Sequence, residues 1–220
     1  MGVLLGLLLA VVAVGCSGER EGVTVPPYGR GNPVQVAGRA PRPVDPIASV
    51  AVIGDSITVG AEADLDASLR ALGLQQVSIA AADGRRMTVP GDVGSGLELI
   101  DLLVAAGAPD LWVVTLGTND IGQYADAVEY AMAINDVLVR LPTDAPLVWV
   151  NTWVEFEPDQ SQELDQTLAA SLRVRGQATV ADWAAAASPG GLLRDGVHPT
   201  PGGQARFVEV VTDAVSAWMG

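Results

Sequence analysis

The sequence predicts an α/β fold, a three-layer α/β/α sandwich built around a five-stranded parallel sheet. Most of the five short runs that predict strands lack the polar alternation of a one-sided sheet, as is typical of parallel strands covered on both faces. Between these runs, apolar residues step by three and four, as they do on one face of a helix. Strand and helix in alternation indicate right-handed crossovers between parallel strands.

The predicted strands are runs rich in Val, Ile, Leu and Ala. In chain order they cover residues 49–53, 76–79, 111–116, 147–150 and 178–181. Such runs are short enough for buried strands, and turn-forming residues flank several of them. We therefore expect five parallel strands, each followed by a crossover.

Three apolar stripes predict helices that pack on the sheet. The first precedes the fourth strand, the second precedes the fifth strand, and the third lies near the C-terminus. Their members are Tyr124, Ala127, Ala131, Ile134, Leu138 and Leu141; Leu164, Leu168 and Leu172; and Phe207, Val211, Ala214 or Val215, and Trp218. We expect each stripe to face the core.

The N-terminal segment, residues 1–16, has the features of an export signal. Its apolar run of 12 residues, 3–14, suits the core of a signal peptide and is too short for a transmembrane helix. The end of this segment, Ala13-Val14-Gly15-Cys16, resembles the lipobox of bacterial lipoproteins, in which the cysteine is lipidated. An ordinary secretory signal and an uncleaved anchor are the alternatives. We expect an extracytoplasmic protein, lipid-anchored through Cys16 or secreted.

The remaining chain divides into a linker and one domain. Residues 17–46 hold six Pro and five Gly, which resist regular structure, so we interpret them as a tether, with a dispensable tail as the alternative. Residues 47–220 suit a single domain with its own core. We expect this domain to be a monomer.

The composition excludes several classes of function. The formal net charge is −14, from 12 Arg, no Lys and 26 acids, and nucleic-acid binding requires basic residues that displace counterions. The same charge repels anionic headgroups, so membrane contact is expected only through the N-terminal lipid anchor. One His and one Cys cannot form a usual zinc site, and no EF-hand spacing is present. We therefore expect no metal and no other cofactor.

Polar motifs follow the predicted strands at the ends where ligands bind in such sheets. Gly54-Asp55-Ser56 follows the first strand, Asp83-Gly84-Arg85 the second, and Gly117-Thr118-Asn119-Asp120 the third. The only histidine, His198, stands three residues after Asp195 and before the last predicted helix. A serine hydroxyl needs a base to remove its proton, and imidazole is the usual base at neutral pH. The sequence therefore predicts serine-ester chemistry on one rim of the sheet.

In their order and spacing, these segments resemble the blocks of the SGNH (GDSL) hydrolase family. The resemblance covers residues 50–203 and implies a flavodoxin-like SGNH fold with ester hydrolase activity. It implies that Ser56 is the nucleophile, that His198 is the base, and that Asp195 orients the imidazole and stabilises its cation. It also implies an oxyanion hole made by the backbone N–H groups of Ser56 and Gly84 and the side-chain amide of Asn119. A side chain at Gly84 would crowd the approaching oxyanion.

Four residues beside these motifs have competing interpretations. We interpret Asp55 as a turn-former or helix cap rather than as a catalytic acid. We expect Asp120 to order its own loop. Arg85 and Arg86 are interpreted as solvated loop residues, with a grip on an anionic or sugar substrate as the alternative.

A narrower likeness concerns the extracytoplasmic SGNH domains of bacterial O-acetyltransferases that modify envelope glycans. It rests on Asp83-Gly84-Arg85, on Val150-Asn151-Thr152-Trp153 and on Ala181-Asp182-Trp183. We expect Trp153 at the rim, with stacking on a sugar as an alternative role.

Three functions are consistent with these residues. The first is an exported serine esterase that hydrolyses acyl esters of small molecules or envelope sugars. The second passes the acyl group to a glycan hydroxyl instead of water, and the third is a non-catalytic surface binding protein on the same scaffold. The first is our prediction, and its partner is a small-molecule or glycan acyl ester.

Overall fold

The computed structural model describes residues 46–219, which form one α/β sandwich. The expected signal peptide, Cys16 and the linker up to residue 45 lie outside the described residues, as does Gly220. Within the described part of the chain, no helix is both long and apolar enough to cross a membrane.

In the described part of the chain the sheet has five parallel strands, and the predicted strands are confirmed. They are β1 (Ser49–Gly54), β2 (Gln76–Ala81), β3 (Leu111–Thr115), β4 (Leu147–Val150) and β5 (Ala178–Ala181). Their order across the sheet is β2-β1-β3-β4-β5, and every neighbouring pair is parallel. This is the flavodoxin-like order, in which the chain reverses its direction of winding beside β1. The carboxyl ends of β1 and β3 therefore flank the position where a ligand is expected.

Within residues 46–219, six α-helices cover the two faces of the sheet. They are α1 (Ser56–Ala71), α2 (Gly96–Gly107), α3 (Ala127–Leu138), α4 (Pro158–Arg175), α5 (Trp183–Ala187) and α6 (Pro201–Met219). The residues of α1, α5 and α6 pack into one apolar cluster, and those of α2, α3 and α4 pack into another. These two clusters are the outer interfaces of the predicted three-layer sandwich.

Strand β1 shows why its sequence is continuously apolar. Val50 and Val52 belong to the cluster under α1 and α6, whereas Ala51 and Ile53 belong to the cluster on the opposite face. Successive side chains of a strand point to opposite faces, and here both faces are covered by helices. Residues 50–53 are therefore all buried, and the polar Ser49 stands at the partly exposed start of the strand.

The three predicted helical stripes are confirmed as helices, with one shift. Leu164, Leu168 and Leu172 are all buried along α4. The first stripe begins too early, because Asp126 caps α3 by accepting hydrogen bonds from the backbone N–H groups of Val128 and Glu129. Tyr124 therefore precedes the helix, Leu141 follows it, and Tyr130 takes the core position that the stripe assigned to Ala131.

Candidate active site

Ser56 lies at the junction between β1 and α1. Gly54 ends the strand where a Cβ atom would collide with the side chains of Thr58 and Thr115, so only glycine fits there. Asp55 is the N-cap of α1, as predicted, and its Oδ1 accepts a hydrogen bond of 3.0 Å from the Ile57 N–H. Ser56 is the first residue of the helix, so its own N–H has no partner within the helix. That N–H remains available at the positive end of the helix dipole.

The imidazole of His198 lies beside this hydroxyl, although 142 residues separate the two in sequence. Ser56 Oγ is 3.0 Å from His198 Nε2, which is hydrogen-bonding distance. A tight loop before α6 presents the ring: the Arg194 N–H donates to the His198 carbonyl at 2.9 Å, and Leu193 pairs with Pro199. The loop therefore holds the ring over the start of α1.

Asp195 contacts the other side of the same imidazole. Its Oδ2 is 2.9 Å from His198 Nδ1, and its Oδ1 accepts the backbone N–H groups of His198 at 2.7 Å and Val197 at 3.1 Å. These bonds, with the backbone N–H of His198 contributing most, lower the pKa of Asp195 well below its usual range. An ionised carboxylate can only accept, so Nδ1 carries the ring proton and Nε2 is left as the acceptor facing Ser56.

Gly84 lies in an exposed turn after β2. The Arg85 N–H closes this turn on the Ala82 carbonyl at 3.2 Å, and the Ala82 N–H donates to the Gly54 carbonyl at 3.2 Å. The turn is therefore fastened to the residue that ends β1. Gly84 has φ +74°, and no atom lies within 4 Å of the position of an added Cβ. The backbone conformation therefore accounts for glycine at this position.

Asn119 stands in the 3₁₀ turn Thr118–Asp120 that follows β3. Its side-chain amide donates to the Arg85 carbonyl at 3.2 Å. That contact places Asn119 next to the turn that contains Gly84. The amide has two N–H groups, so one remains for a ligand.

The interpretation of Arg85 and Arg86 as solvated loop residues is wrong. Arg85 is buried, with 9% of its surface exposed, and its guanidinium donates to the carbonyls of Gly54, Ala80 and Val93 at 2.8–3.3 Å. Arg86 pairs with Asp120, with Nε 3.5 Å from Oδ1. The Arg85 guanidinium therefore joins three stretches of backbone, and the Arg86 guanidinium pairs with a buried carboxylate. Sequence alone carries no signal for this, because a buried and a solvated Arg look identical in a polar loop.

Asp120 connects two loops rather than ordering only its own. Its Oδ2 accepts the Met87 N–H at 3.1 Å and its Oδ1 accepts the Tyr124 hydroxyl at 3.3 Å. Burial raises the pKa of Asp120 to about 6 and that of Asp55 to about 7. The buried carboxyl groups of Asp55 and Asp120 therefore help to fix the loops at the rim through their hydrogen bonds.

The residues of the narrower likeness have a structural role at the other side of the rim. The side-chain Nδ2 of Asn151 donates to Asp182 Oδ1 at 2.9 Å. The side-chain Oδ1 of Asn151 accepts the Ala184 N–H at 2.8 Å. Asp182 Oδ1 also accepts the Ala185 N–H at 3.0 Å and so caps α5. Trp153, expected at the rim, is half-buried beside them.

In the segment from residue 46 to 219, no three His, Cys, Asp or Glu side chains are grouped so that they could hold a metal ion. The groups that the structure brings together at the site are a hydroxyl, an imidazole, a carboxylate and nearby N–H donors. Such a set can activate a serine oxygen for attack on a carbonyl carbon.

Comparisons with known proteins agree with the fold and the motifs. The model of the GDSL-like lipase/acylhydrolase family matches residues 52–206. No curated protein sequence matches the chain. The crystal structure of TesA is similar with a TM-score of 0.62 and 19% identity, over 77% of this chain and 99% of TesA.

Two further solved structures show the same fold. A carbohydrate acetylesterase family member from Sinorhizobium meliloti has a TM-score of 0.60 and 19% identity, over 79% of this chain and 100% of the other. The catalytic domain of peptidoglycan O-acetyltransferase A from Streptococcus pneumoniae has a TM-score of 0.60 and 16% identity, over 79% of this chain and 96% of that domain. At these identities the similarity concerns the fold.

Proposed function

The chain belongs to the GDSL-like lipase/acylhydrolase family and is an SGNH-type ester hydrolase, and from this premise we propose that it is an exported serine esterase that hydrolyses acyl esters through Ser56, His198 and Asp195. One observation carries the proposal. Ser56 Oγ lies 3.0 Å from His198 Nε2, and the opposite ring nitrogen lies 2.9 Å from Asp195. A non-catalytic binding protein has no need of this alignment.

The reaction follows from the positions of the protons. Nε2 removes the Ser56 proton while Oγ attacks the ester carbonyl carbon, which forms a tetrahedral intermediate with a negative oxygen. The imidazolium, stabilised by Asp195, then gives this proton to the leaving alcohol and an acyl-enzyme remains. A water molecule activated by the same nitrogen attacks the acyl carbon, and Ser56 recovers its proton as the acid departs.

The negative oxygen of the intermediate requires hydrogen-bond donors. We assign this role to the backbone N–H groups of Ser56 and Gly84 and to the side-chain amide of Asn119. Support comes from the unused N–H at the start of α1 and from the Asn119–Arg85 contact beside Gly84. The partial positive charge of the α1 N-terminus favours an anion at the same place.

Hydrolysis is favoured over acyl transfer by the openness of the site. The side chains of His198 and Asp195 are 34% and 50% exposed, so water has direct access to the base. Transfer to a glycan hydroxyl requires that water be excluded from the acyl-enzyme. Incubation with an acyl donor, with and without a glycan acceptor, separates the two reactions. Acylated glycan that forms faster than free acid would overturn the assignment to hydrolysis.

The substrate class that we propose is an acylated sugar or another small ester of the cell envelope. The carbohydrate acetylesterase family member from Sinorhizobium meliloti shares this fold, which makes sugar esters a reasonable first choice. The net charge of −14 disfavours polyanionic substrates.

The cellular location follows from the N-terminal motif and is likewise a proposal. Cleavage before Cys16 and lipidation of its thiol would hold the protein at the outer face of a membrane, with the linker as a tether. The mass of the mature protein tests this directly. An unmodified Met1 would rule out both the lipoprotein and the secreted form.

The function is tested with Ser56→Ala and a small chromogenic ester, p-nitrophenyl acetate. We expect the substitution to abolish turnover without lowering the melting temperature, because it removes only the attacking oxygen. Ser68→Ala, on the same helix α1, is the matched control and should retain wild-type turnover. Equal rates for Ser56→Ala and wild type would remove Ser56 from the mechanism.

A further inference from the structure

A separate cavity opens on the same rim of the sheet, between α4 and α5. Its volume is ≈ 400 Å³, within the range of small-molecule sites, and it lies beyond the carboxyl ends of β4 and β5. In the sheet order, β4 and β5 stand two and three positions from β1. At ~4.8 Å per strand this is a lateral distance of roughly 10–14 Å from Ser56.

The wall of this cavity combines apolar and polar side chains. Trp153 and Ala185 contribute apolar surface, and Gln162, Ser188 and Asp165 contribute polar groups. A sugar ring likewise presents apolar faces and a polar edge of hydroxyl groups. Among the described residues that line the cavity, two are acids and none is basic, so an anionic ligand is disfavoured.

Asp165 is a buried carboxyl group in the wall of the cavity. It is 4% exposed, and the bond that described residues supply to its carboxyl comes from the Thr152 N–H, at 3.2 Å to Oδ1. A buried carboxyl with one donor retains hydrogen-bonding capacity on Oδ2. Burial also raises the pKa of Asp165 well above its usual range, which favours a protonated group that can donate as well as accept. Sugar hydroxyls match such a group.

An exposed aromatic residue lies beside the loop that carries His198. Phe156 is 66% exposed, and its ring lies against Gly196, two residues before His198. The Glu155 N–H donates to the Gly196 carbonyl at 2.9 Å, which joins the segment after Trp153 to the His198 loop. The segment that follows the cavity residue Trp153 therefore brings an exposed aromatic ring to the His198 loop.

We propose that this cavity is a carbohydrate-binding subsite, which holds a sugar ring of a glycan whose ester group reaches Ser56. Trp153 and Phe156 provide stacking surfaces, and Asp165 and Gln162 bind the hydroxyl groups. The assignment of the ester to Ser56 rests on the proposed function, whereas glycan binding by the cavity is measurable without turnover. The subsite would make the enzyme prefer an esterified oligosaccharide over a small ester.

The test is a calorimetric titration of the full-length protein with chitohexaose and cellohexaose. Ala185→Trp fills the cavity, and Ala170→Trp places the same side chain on the exposed face of α4 as the matched control. We expect wild type and Ala170→Trp to bind equally, and Ala185→Trp to bind at least about tenfold more weakly, the effect of losing roughly one hydrogen bond or stacking contact. Equal affinity in all three proteins, or no binding by wild type at millimolar ligand, would overturn the subsite.

Two exposed positions keep the test valid if Ala185→Trp does not fold. Phe156→Ala and Gln162→Ala remove solvent-facing side chains, and each should weaken oligosaccharide binding several-fold and raise the KM for an acetylated oligosaccharide more than it lowers kcat. Unchanged affinity and KM in both variants would contradict the proposal. Wild-type protein that binds oligosaccharide but cleaves no ester would refute the esterase and leave the subsite standing. Cleavage of p-nitrophenyl acetate without oligosaccharide binding would refute the subsite and leave the esterase standing.

Discussion

At the scale of single residues, the two N–H groups of the Asn119 side-chain amide have separate roles. One N–H holds the Arg85 carbonyl at 3.2 Å, and the other is free for the oxyanion. The first bond exists in the free enzyme, so the amide is oriented before substrate arrives. A donor fixed in advance needs no reorganisation when charge develops on the carbonyl oxygen, which is why such donors contribute strongly to catalysis.

We predict that Asn119→Ala lowers kcat by ~10²–10³ with little change in KM, since the lost bond forms mainly in the transition state. The melting temperature should fall only slightly, because the lost ground-state bond is long and partly exposed. Steady-state kinetics with p-nitrophenyl acetate and thermal melts check both. Asn135→Ala, on the exposed face of α3, is the matched control. An unchanged kcat would exclude Asn119 from the oxyanion hole.

At the scale of elements, the loop between β2 and α2 is fastened by one guanidinium. Arg85 donates to the carbonyl that ends β1 at Gly54, to Ala80 within β2 and to Val93 near the end of the loop. The carbonyl of the same residue accepts from Asn119. Arg85 therefore determines the position of two proposed oxyanion donors without touching the substrate. It is a positioning residue.

A second arginine, Arg175, also binds several backbone carbonyls, but at the opposite end of the sheet. It therefore supplies a control for Arg85. Arg175 donates to the carbonyls of Pro142, Ala145, Gly176 and Gln177, near the amino ends of β4 and β5. Lys cannot reproduce the guanidinium fork at either position. Both Arg→Lys variants should therefore lose ~1–3 kcal/mol of stability.

We predict that Arg85→Lys alone also loses activity, by ~10–100-fold in kcat, because misplaced donors stabilise the transition state poorly. Arg175→Lys should keep its kcat at a temperature well below its melting point. Kinetics and melts of the pair separate positioning from stability. A kcat that falls equally in both, in proportion to the melting temperature, would refute the positioning role of Arg85.

The elements also explain what could be foreseen from the sequence. Strands β1, β3, β4 and β5 were predictable because they are largely buried on both faces and form apolar runs. Strand β2 is partly exposed, and its polar and apolar residues alternate at first. Helix α1 was not predicted from a stripe, although Ile57, Ala61, Leu65 and Leu69 step by four and are all buried. Helix α2 buries only Gly96 and Ile100, so its pattern is weak.

The residues at the rim of the sheet likewise divide into those that the sequence predicts and those that it does not. The Ser56, Asn119 and His198 segments follow or precede predicted elements, so strand order alone predicts that they meet. The roles of Arg85 and Asp165 were not predictable, because they depend on which loop carbonyls and cavity walls the chain happens to bring close. Tertiary contacts of this kind leave no periodic trace in a sequence.

At the scale of the whole molecule, exposed and buried carboxyl groups differ in their charge and in the direction of their pKa shifts. The full chain has a net charge of −14, which disfavours polyanionic partners. Three carboxyl groups at Asp55, Asp120 and Asp165 are buried, and burial raises the pKa of each. Asp195 is exposed, and its lowered pKa keeps it ionised at every pH where the enzyme is expected to work.

The buried acids predict that stability falls as the pH rises. An aspartate has a pKa of ~3.9 in the unfolded chain, whereas the folded pKa of Asp55 is about 7 and that of Asp120 about 6. Between these values the folded state holds protons that the unfolded state has released, so raising the pH favours unfolding. Asp195 acts with the opposite sign, but its contribution is lost only in strong acid.

We predict that the melting temperature decreases from ~pH 5 to ~pH 8, and that Asp55→Asn flattens this decrease and stabilises the protein at the upper end. The amide keeps an oxygen to accept the Ile57 N–H, so the cap of α1 survives while the buried charge is removed. Asp64→Asn, at an exposed position of the same helix, changes the net charge by the same amount and should leave the slope unchanged. Melts of wild type and both variants across this range decide the matter. If the two variants change the slope equally, the pH dependence arises from surface repulsion, and Asp55 has no special part in it.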